Sequence, residues 1–226
     1  MSPLRIRYQT IEFGELDIHV RTLRDRQQYA DPQGIARGLG ISSAAWPLFG
    51  IVWASGEVLA RLMVDVEIAG RRILEVGCGI GLASLVLNRR AADITATDHH
   101  PEAGGFLRGN ARLNGDRAIP FVRTGWSDRD SGLGEFDLIV GSDLLYERGH
   151  VDLLAGFIDR HVGPRGEAII VDPGRGHHAP FSRRMVSLGF THSQRRPDPE
   201  ECGTQAFNGQ VLHYVRQREP AAPPAA

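Results

Sequence analysis

Residues 73–87 read "ILEVGCGIGLASLVL", an aliphatic run interrupted by glycines at 77, 79 and 81 and then resumed without a break. Apolar residues on both sides of so small a turn point to two buried elements, a strand and then a helix, joined by a sharp bend. Glycine at such a bend admits backbone dihedrals closed to other residues and lets another group come close to the main chain. A helix starting near Gly81 would offer free backbone N–H groups and a partial positive charge to an anionic ligand group.

Outward from this stretch the chain alternates regularly. Strand-like runs lie at 72–76, 93–98, 119–124, 136–143, 167–172 and 209–217, and helix-like runs at 81–90, 102–114, 149–162 and 179–188. Short apolar strands alternating with amphipathic helices predict parallel βαβ units and an α/β, doubly wound sheet covered on both faces. Upstream, "LRIRYQTIEFGELDIHVRTL" (4–23) alternates around Gly14-Glu15 and predicts a β-hairpin extension. A polar segment follows to about residue 43, and "SGEVLARLM" predicts a helix with Ser55 as its cap and Val58, Leu59, Leu62 and Met63 on one face. The expected organisation is a lead-in segment (1–54) packed on a core (55–217), then a disordered Pro/Ala tail (218–226).

Composition removes several classes of function. A net charge of −1 carries no nucleic-acid footprint, and the arginine pairs at 71–72, 89–90, 183–184 and 195–196 read as solvated faces. All 26 basic residues are arginine; without a lysine there is no Schiff-base, P-loop or kinase-type lysine chemistry. Cys78 and Cys202 are far apart, in neither a disulfide nor a zinc spacing. His99-His100 and His177-His178 lack a third ligand at a sensible spacing, so no metal is expected. The first residues lack a signal pattern, and "AAWPLFGIVWA" reads as too short and interrupted to cross a bilayer, so a cytoplasmic protein without membrane contact is expected.

The glycines follow a G-x-G-x-G pattern with Glu75 before them, whereas the dinucleotide fingerprint would need a small residue where Leu82 stands. Asp98 closes the next strand, where a carboxylate can accept the hydroxyls of a ribose. "ILEVGCGIG" followed by "TATD" resembles the class I, seven-β-strand S-adenosylmethionine-dependent methyltransferases over about residues 70 to 215. That resemblance implies a Rossmann-like sheet of seven mostly parallel strands, the last antiparallel, with S-adenosylmethionine as cofactor. It also implies that Glu75 and the turn of Gly77, Cys78, Gly79 and Gly81 surround the methionine moiety, that Asp98 holds the ribose, and that Trp126 contacts the adenine.

At the end of the fourth strand-like run stand Asp143-Leu144-Leu145-Tyr146, where base-modifying and glutamine-modifying relatives carry N-P-P-Y. With "FGIVWASGEVLA" upstream, this D-x-x-Y pattern resembles the seven-β-strand protein-lysine methyltransferases from about residue 44 to 215; Trp53-Ala54-Ser55 departs mildly from W-P-S. The resemblance implies a lysine-presenting protein substrate, Asp143 as the catalytic carboxylate that positions the amine, Tyr146 as a wall of its channel, and Trp53 and Ser142 beside the cofactor. "VDPGRGH" (171–177) further resembles the branch acting on the electron-transfer flavoprotein β-subunit, which makes that subunit the implied partner. Acids at the strand ends, Asp98, Asp143, Glu147 and Asp172, are expected to attract a basic side chain and repel phosphate. A small-molecule N-methyltransferase with a pocket closed by the 24–55 segment, another protein acceptor such as histidine or an N-terminus, and a cofactor-binding protein without activity stay open as alternatives.

Overall fold

The computed structural model describes residues 4–203 and 205–217; the expected Pro/Ala tail lies outside the described residues. The chain opens with an antiparallel hairpin, β1 (Ile6–Phe13) and β2 (Leu16–Leu23), turning at Gly14 with φ 63°. A short helix, α1 (Ile35–Gly38), and a 3-10 turn (Trp46–Gly50) lead to α2 (Ala54–Asp65). Then follow β3 (Arg72–Val76), α3 (Leu82–Arg89), β4 (Asp93–Asp98), α4 (Ala103–Leu113), β5 (Phe121–Arg123) and β6 (Phe136–Ser142). The rest is α5 (His150–His161), β7 (Val162–Asp172), α6 (His178–Ser187), β8 (Phe190–Arg195) and β9 (Gln210–Arg216).

Seven strands form one sheet in the order β5-β4-β3-β6-β7-β9-β8, parallel except for β9, which runs antiparallel to both neighbours. The alternation of side chains across each strand feeds two cores. Ile73, Leu138 and Val140 pack with α2, α3 and α4, while Leu74, Val76, Ile139 and Ile170 pack with α5 and α6. Strand order reverses between β3 and β6, and their carboxyl ends mark the switch point where ligands of such sheets bind.

Several expectations are corrected. The helix after the lead-in begins at Ala54 with Trp53 as N-cap, so Ser55 lies inside it and caps nothing. Strand β8 was not foreseen, because at this sheet edge "FTHSQR" buries fully only Phe190. Strand β5 is shorter than the 119–124 run, and β7 starts earlier, at Val162, with a register shift opposite Phe136 and Leu138. Trp46–Asp65 does have the length and mean hydropathy, 1.4, of a membrane-crossing segment, but here it is a 3-10 turn and a separate helix, with Trp46, Val58, Leu59 and Met63 buried in the core.

The hairpin is tied to the core through α4. An edge strand leaves backbone groups that need partners. His19 donates its N–H to Asn114 Oδ1 (2.8 Å) and accepts from Asn114 Nδ2 (2.7 Å), and Arg21 donates its N–H to Asn110 Oδ1 (2.8 Å). The Arg21 guanidinium lies 4.7 Å from the centre of the Phe106 ring.

Candidate functional site

All three glycines of the turn have positive φ: 62° at Gly77, 54° at Gly79 and 79° at Gly81. A Cβ on Gly77 would stand 2.5 Å from Leu144, one on Gly79 2.7 Å from the Phe49 carbonyl oxygen, and one on Gly81 2.2 Å from Leu107. Each missing side chain therefore makes room for the protein itself, a packing reason for the glycines that stands beside the expected approach of a ligand. Glu75 is buried at the end of β3, where Oε2 accepts the Ser84 N–H (2.8 Å) and the Ser84 hydroxyl. It thereby satisfies a donor in the first turn of α3, where a negative charge is favoured. Burial outweighs those bonds and pushes its carboxyl up to about 7. Cys78 is buried too, and burial pushes its thiol well up, so it is an inert small side chain of the turn.

Asp98 faces the same turn from β4. Its Oδ2 accepts the Gly79 N–H (2.8 Å) and its Oδ1 the His100 N–H (2.7 Å). Each carboxylate oxygen has two lone pairs, so each retains one for a ribose hydroxyl. Asp98 is half-buried, and desolvation pushes its carboxyl up. The lead-in segment covers this side: Phe49 stacks on His100 with ring centres 4.0 Å apart, Trp46 meets His100 edge-on, and His99 Nε2 lies 3.3 Å from the Leu39 carbonyl. Desolvation pushes His100 down to about 4, so it is neutral in this packing.

The other side of the site is built on β6 and β7. Asp143, directly after β6, has φ 53°, a left-handed conformation that aspartate tolerates better than most residues. Arg175 donates to both of its carboxylate oxygens, Nε to Oδ1 at 2.6 Å and NH2 to Oδ2 at 2.8 Å. Tyr146 is 53% exposed, and its ring meets His150 edge-on at 4.4 Å. His150 in turn meets the half-buried Trp126 edge-on at 5.1 Å. A row of rings thus runs from the residue expected at the adenine to the residue expected at the acceptor.

Around α2, the Trp53 indole donates to the Leu48 carbonyl (3.0 Å) under the Arg26 guanidinium, 5.2 Å from the ring centre. Ser142 Oγ stands 3.7 Å from where a Gly56 Cβ would be, and next to Gly56 the buried Ser55 hydroxyl has no partner among the described residues. A left-handed glycine turn, a carboxylate with spare lone pairs and an unpartnered buried hydroxyl fit a ligand carrying ribose, amino and carboxylate groups.

The sequence reading brought Asp98, Glu75, Asp143 and Tyr146 to one end of the sheet but missed Arg175, His150 and Ser55. It also placed Asp172 at an acidic mouth. Asp172 is 1% exposed, its Oδ2 takes the Gly174 N–H (2.9 Å), and burial pushes its carboxyl up. With Arg175 on Asp143, the mouth mixes both signs of charge. Two open surface hollows, one bounded by residues 68–72, Ala91 and Asp93 and one by Arg129, residues 131–135, Arg160 and His161, involve none of these site residues.

A family described as lysine methyltransferase matches residues 45–179. The electron transfer flavoprotein beta subunit lysine methyltransferase of Xenopus laevis is 32% identical over 144 residues, covering 62% of this chain and 56% of that protein. The protein N-lysine methyltransferase METTL21A of Danio rerio is 31% identical over 188 residues, covering 78% of each. The chain thus spans little more than half the length of the first of these relatives. Among solved structures, the magnesium protoporphyrin IX methyltransferase of Synechocystis with S-adenosylmethionine bound superposes with a TM-score of 0.59 at 18% identity, over 83% of this chain and 98% of that one; it shares the fold.

Proposed function

The chain belongs to the lysine methyltransferase family that matches its residues 45–179, and on that premise we propose that it methylates lysine side chains of a protein substrate with S-adenosylmethionine as donor. The observation that carries this reading is the carboxylate of Asp143, set on a backbone bend close in the chain to the exposed Tyr146 and held by a cationic side chain, Arg175. S-adenosylmethionine supplies an electrophilic methyl group on a sulfonium. Asp98, the backbone of Gly77–Gly81, Ser55, Ser142, Trp53 and Trp126 are the groups that would hold it, with Glu75 bracing the turn from behind.

The acceptor amine must arrive with a free lone pair. A lysine with pKa ~10.4 is uncharged in only about one molecule in a thousand near neutral pH. Asp143 docks the ammonium and fixes the nitrogen's direction. The same negative charge also favours the protonated form, so its role is positioning first and proton acceptance second. Tyr146 has a phenol pushed up by burial, so it stays neutral and walls the approach. An acceptor end this exposed suits a side chain presented by a large partner.

The electron-transfer flavoprotein β-subunit is the first candidate acceptor, supported by the activity for which the Xenopus laevis relative is named and by the "VDPGRGH" segment. A reducing compartment such as the cytoplasm fits the two free cysteines. The test is incubation of the protein with labelled S-adenosylmethionine and the purified β-subunit, followed by mass spectrometry. Methyl groups on lysine of the subunit are expected. Label confined to histidine, to N-termini or to small metabolites would refute the reading.

A further inference from the structure

Arg175 stands between two glycines of positive φ, Gly174 (92°) and Gly176 (89°), with nothing among the described residues within 4 Å of either missing Cβ. Its side chain is 43% exposed, whereas the Asp143 side chain it grips is 11% exposed. Two parallel N–H donors fill both carboxylate oxygens, a planar match that a point-like ammonium cannot reproduce. In the free protein, then, the seat at Asp143 is already taken by a cation. A guanidinium keeps its proton at any working pH, so this occupant does not compete as a nucleophile.

An incoming ammonium must turn the guanidinium out. The protein offers it two poorer seats. Asp172 has an unpartnered Oδ1 but is 1% exposed, so the guanidinium would have to lose its water to reach it, and Glu147 is a 71% exposed carboxylate 3.8 Å from His150, where an ion pair is worth little. Left beside the new ammonium, the displaced guanidinium repels what it made way for. A carboxylate carried by the substrate removes that repulsion. We infer that Arg175 is a specificity residue, which holds the acceptor seat at Asp143 and cedes it to a lysine whose neighbouring side chain is a carboxylate that takes over the guanidinium. The inference rests on the reading in which Asp143 docks the acceptor.

The test uses two blocked peptides, one with a lysine flanked by glutamates and a twin with the lysine flanked by alanines. Both are titrated calorimetrically into the whole protein saturated with S-adenosylhomocysteine, at one fixed salt concentration. Wild type is expected to bind the glutamate peptide at least tenfold more tightly than its twin. Arg175→Ala is expected to bind both alike, and to bind the alanine peptide more tightly than wild type does. Arg175→Glu is expected to disfavour the glutamate peptide. Equal binding of the two peptides by wild type, or a preference that survives in Arg175→Ala, would overturn the inference. Asp143→Asn separates this from the underlying reading. If it weakens both peptides while Arg175→Ala leaves the ratio intact, only the role of Arg175 fails. If it changes nothing, or neither peptide binds any of the proteins, the seat at Asp143 fails and the inference with it.

Discussion

Asp98 accepts the backbone N–H of Gly79 at 2.8 Å, so the carboxylate expected to hold a ribose also holds the glycine turn in shape. Hydrogen bonds to a charged group contribute about 1.5–3 kcal/mol each. Asp98→Ala is expected to weaken S-adenosylmethionine binding by about 10- to 100-fold, and Asp98→Asn by less, because the amide keeps one acceptor oxygen. Titration calorimetry decides it; unchanged affinity in the alanine variant would remove Asp98 from the ligand site.

Gly79→Ala forces a Cβ to within 2.7 Å of the Phe49 carbonyl oxygen at a φ of 54°. Neither backbone can yield freely, and strain of this kind costs about 1–3 kcal/mol. Gly132→Ala shares the positive φ of 69° but meets nothing within 4 Å. Thermal melts should show Gly79→Ala losing clearly more stability than Gly132→Ala. Equal losses would mean that dihedral strain alone matters and that the contact with Phe49 does not.

Glu75 sets a pH dependence with a definite sign. Its carboxyl is pushed up to about 7 by burial, so the native state holds a proton that the unfolded chain releases near its ordinary value of 4.5. The stabilisation is full below 4.5 and is lost as pH rises through 7, on the order of 3 kcal/mol in total. His100, pushed down to about 4, acts oppositely: its contribution is full above 6.5 and is lost as pH falls through 4. Glu75→Gln keeps an acceptor for Ser84 but nothing to ionise. Its urea midpoint should therefore rise from about pH 5 to about pH 7, whereas that of wild type stays flat or falls over the same range. Parallel curves would show that Glu75 does not carry the linkage.

Asp143→Asn is the clean probe of the acceptor carboxylate, since asparagine also tolerates the left-handed backbone at φ 53°. Transfer to a lysine acceptor should drop by about 10-fold or more, the loss of a charge-assisted contact, while S-adenosylmethionine affinity holds. Asp143→Ala should lose stability as well, because it adds backbone strain to the loss of charge. Full activity in the asparagine variant would take Asp143 out of the reaction.

Most of the sheet was legible because short runs such as "RILEV" and "DITATD" carry core residues, Ile73, Leu74, Val76, Ile94 and Ala96, between turn segments; both strands begin and end where the sequence predicts. Strand β8 was hidden because an edge strand with one fully buried residue carries almost no hydrophobic pattern. Asp98 and Asp143 were legible from their place at strand ends. Arg175 was not, since a lone arginine between glycines looks like any solvated loop until its carboxylate partner, 32 residues away in the chain, is brought beside it. The glycine turn was found correctly and explained incompletely. Its positive dihedrals follow from sequence, whereas the pressure of Phe49, Leu107 and Leu144 on the absent side chains is purely tertiary.

The clasp between the hairpin and α4 joins residues up to 95 positions apart. A hairpin on its own is marginal in water. On a ribosome adding ~5–20 residues per second, β2 would wait roughly 5–20 seconds before Asn114 exists to receive it. The hairpin is thus made well before the helix end that clasps it, and during that interval its edge is open to chaperones or to a neighbouring nascent chain.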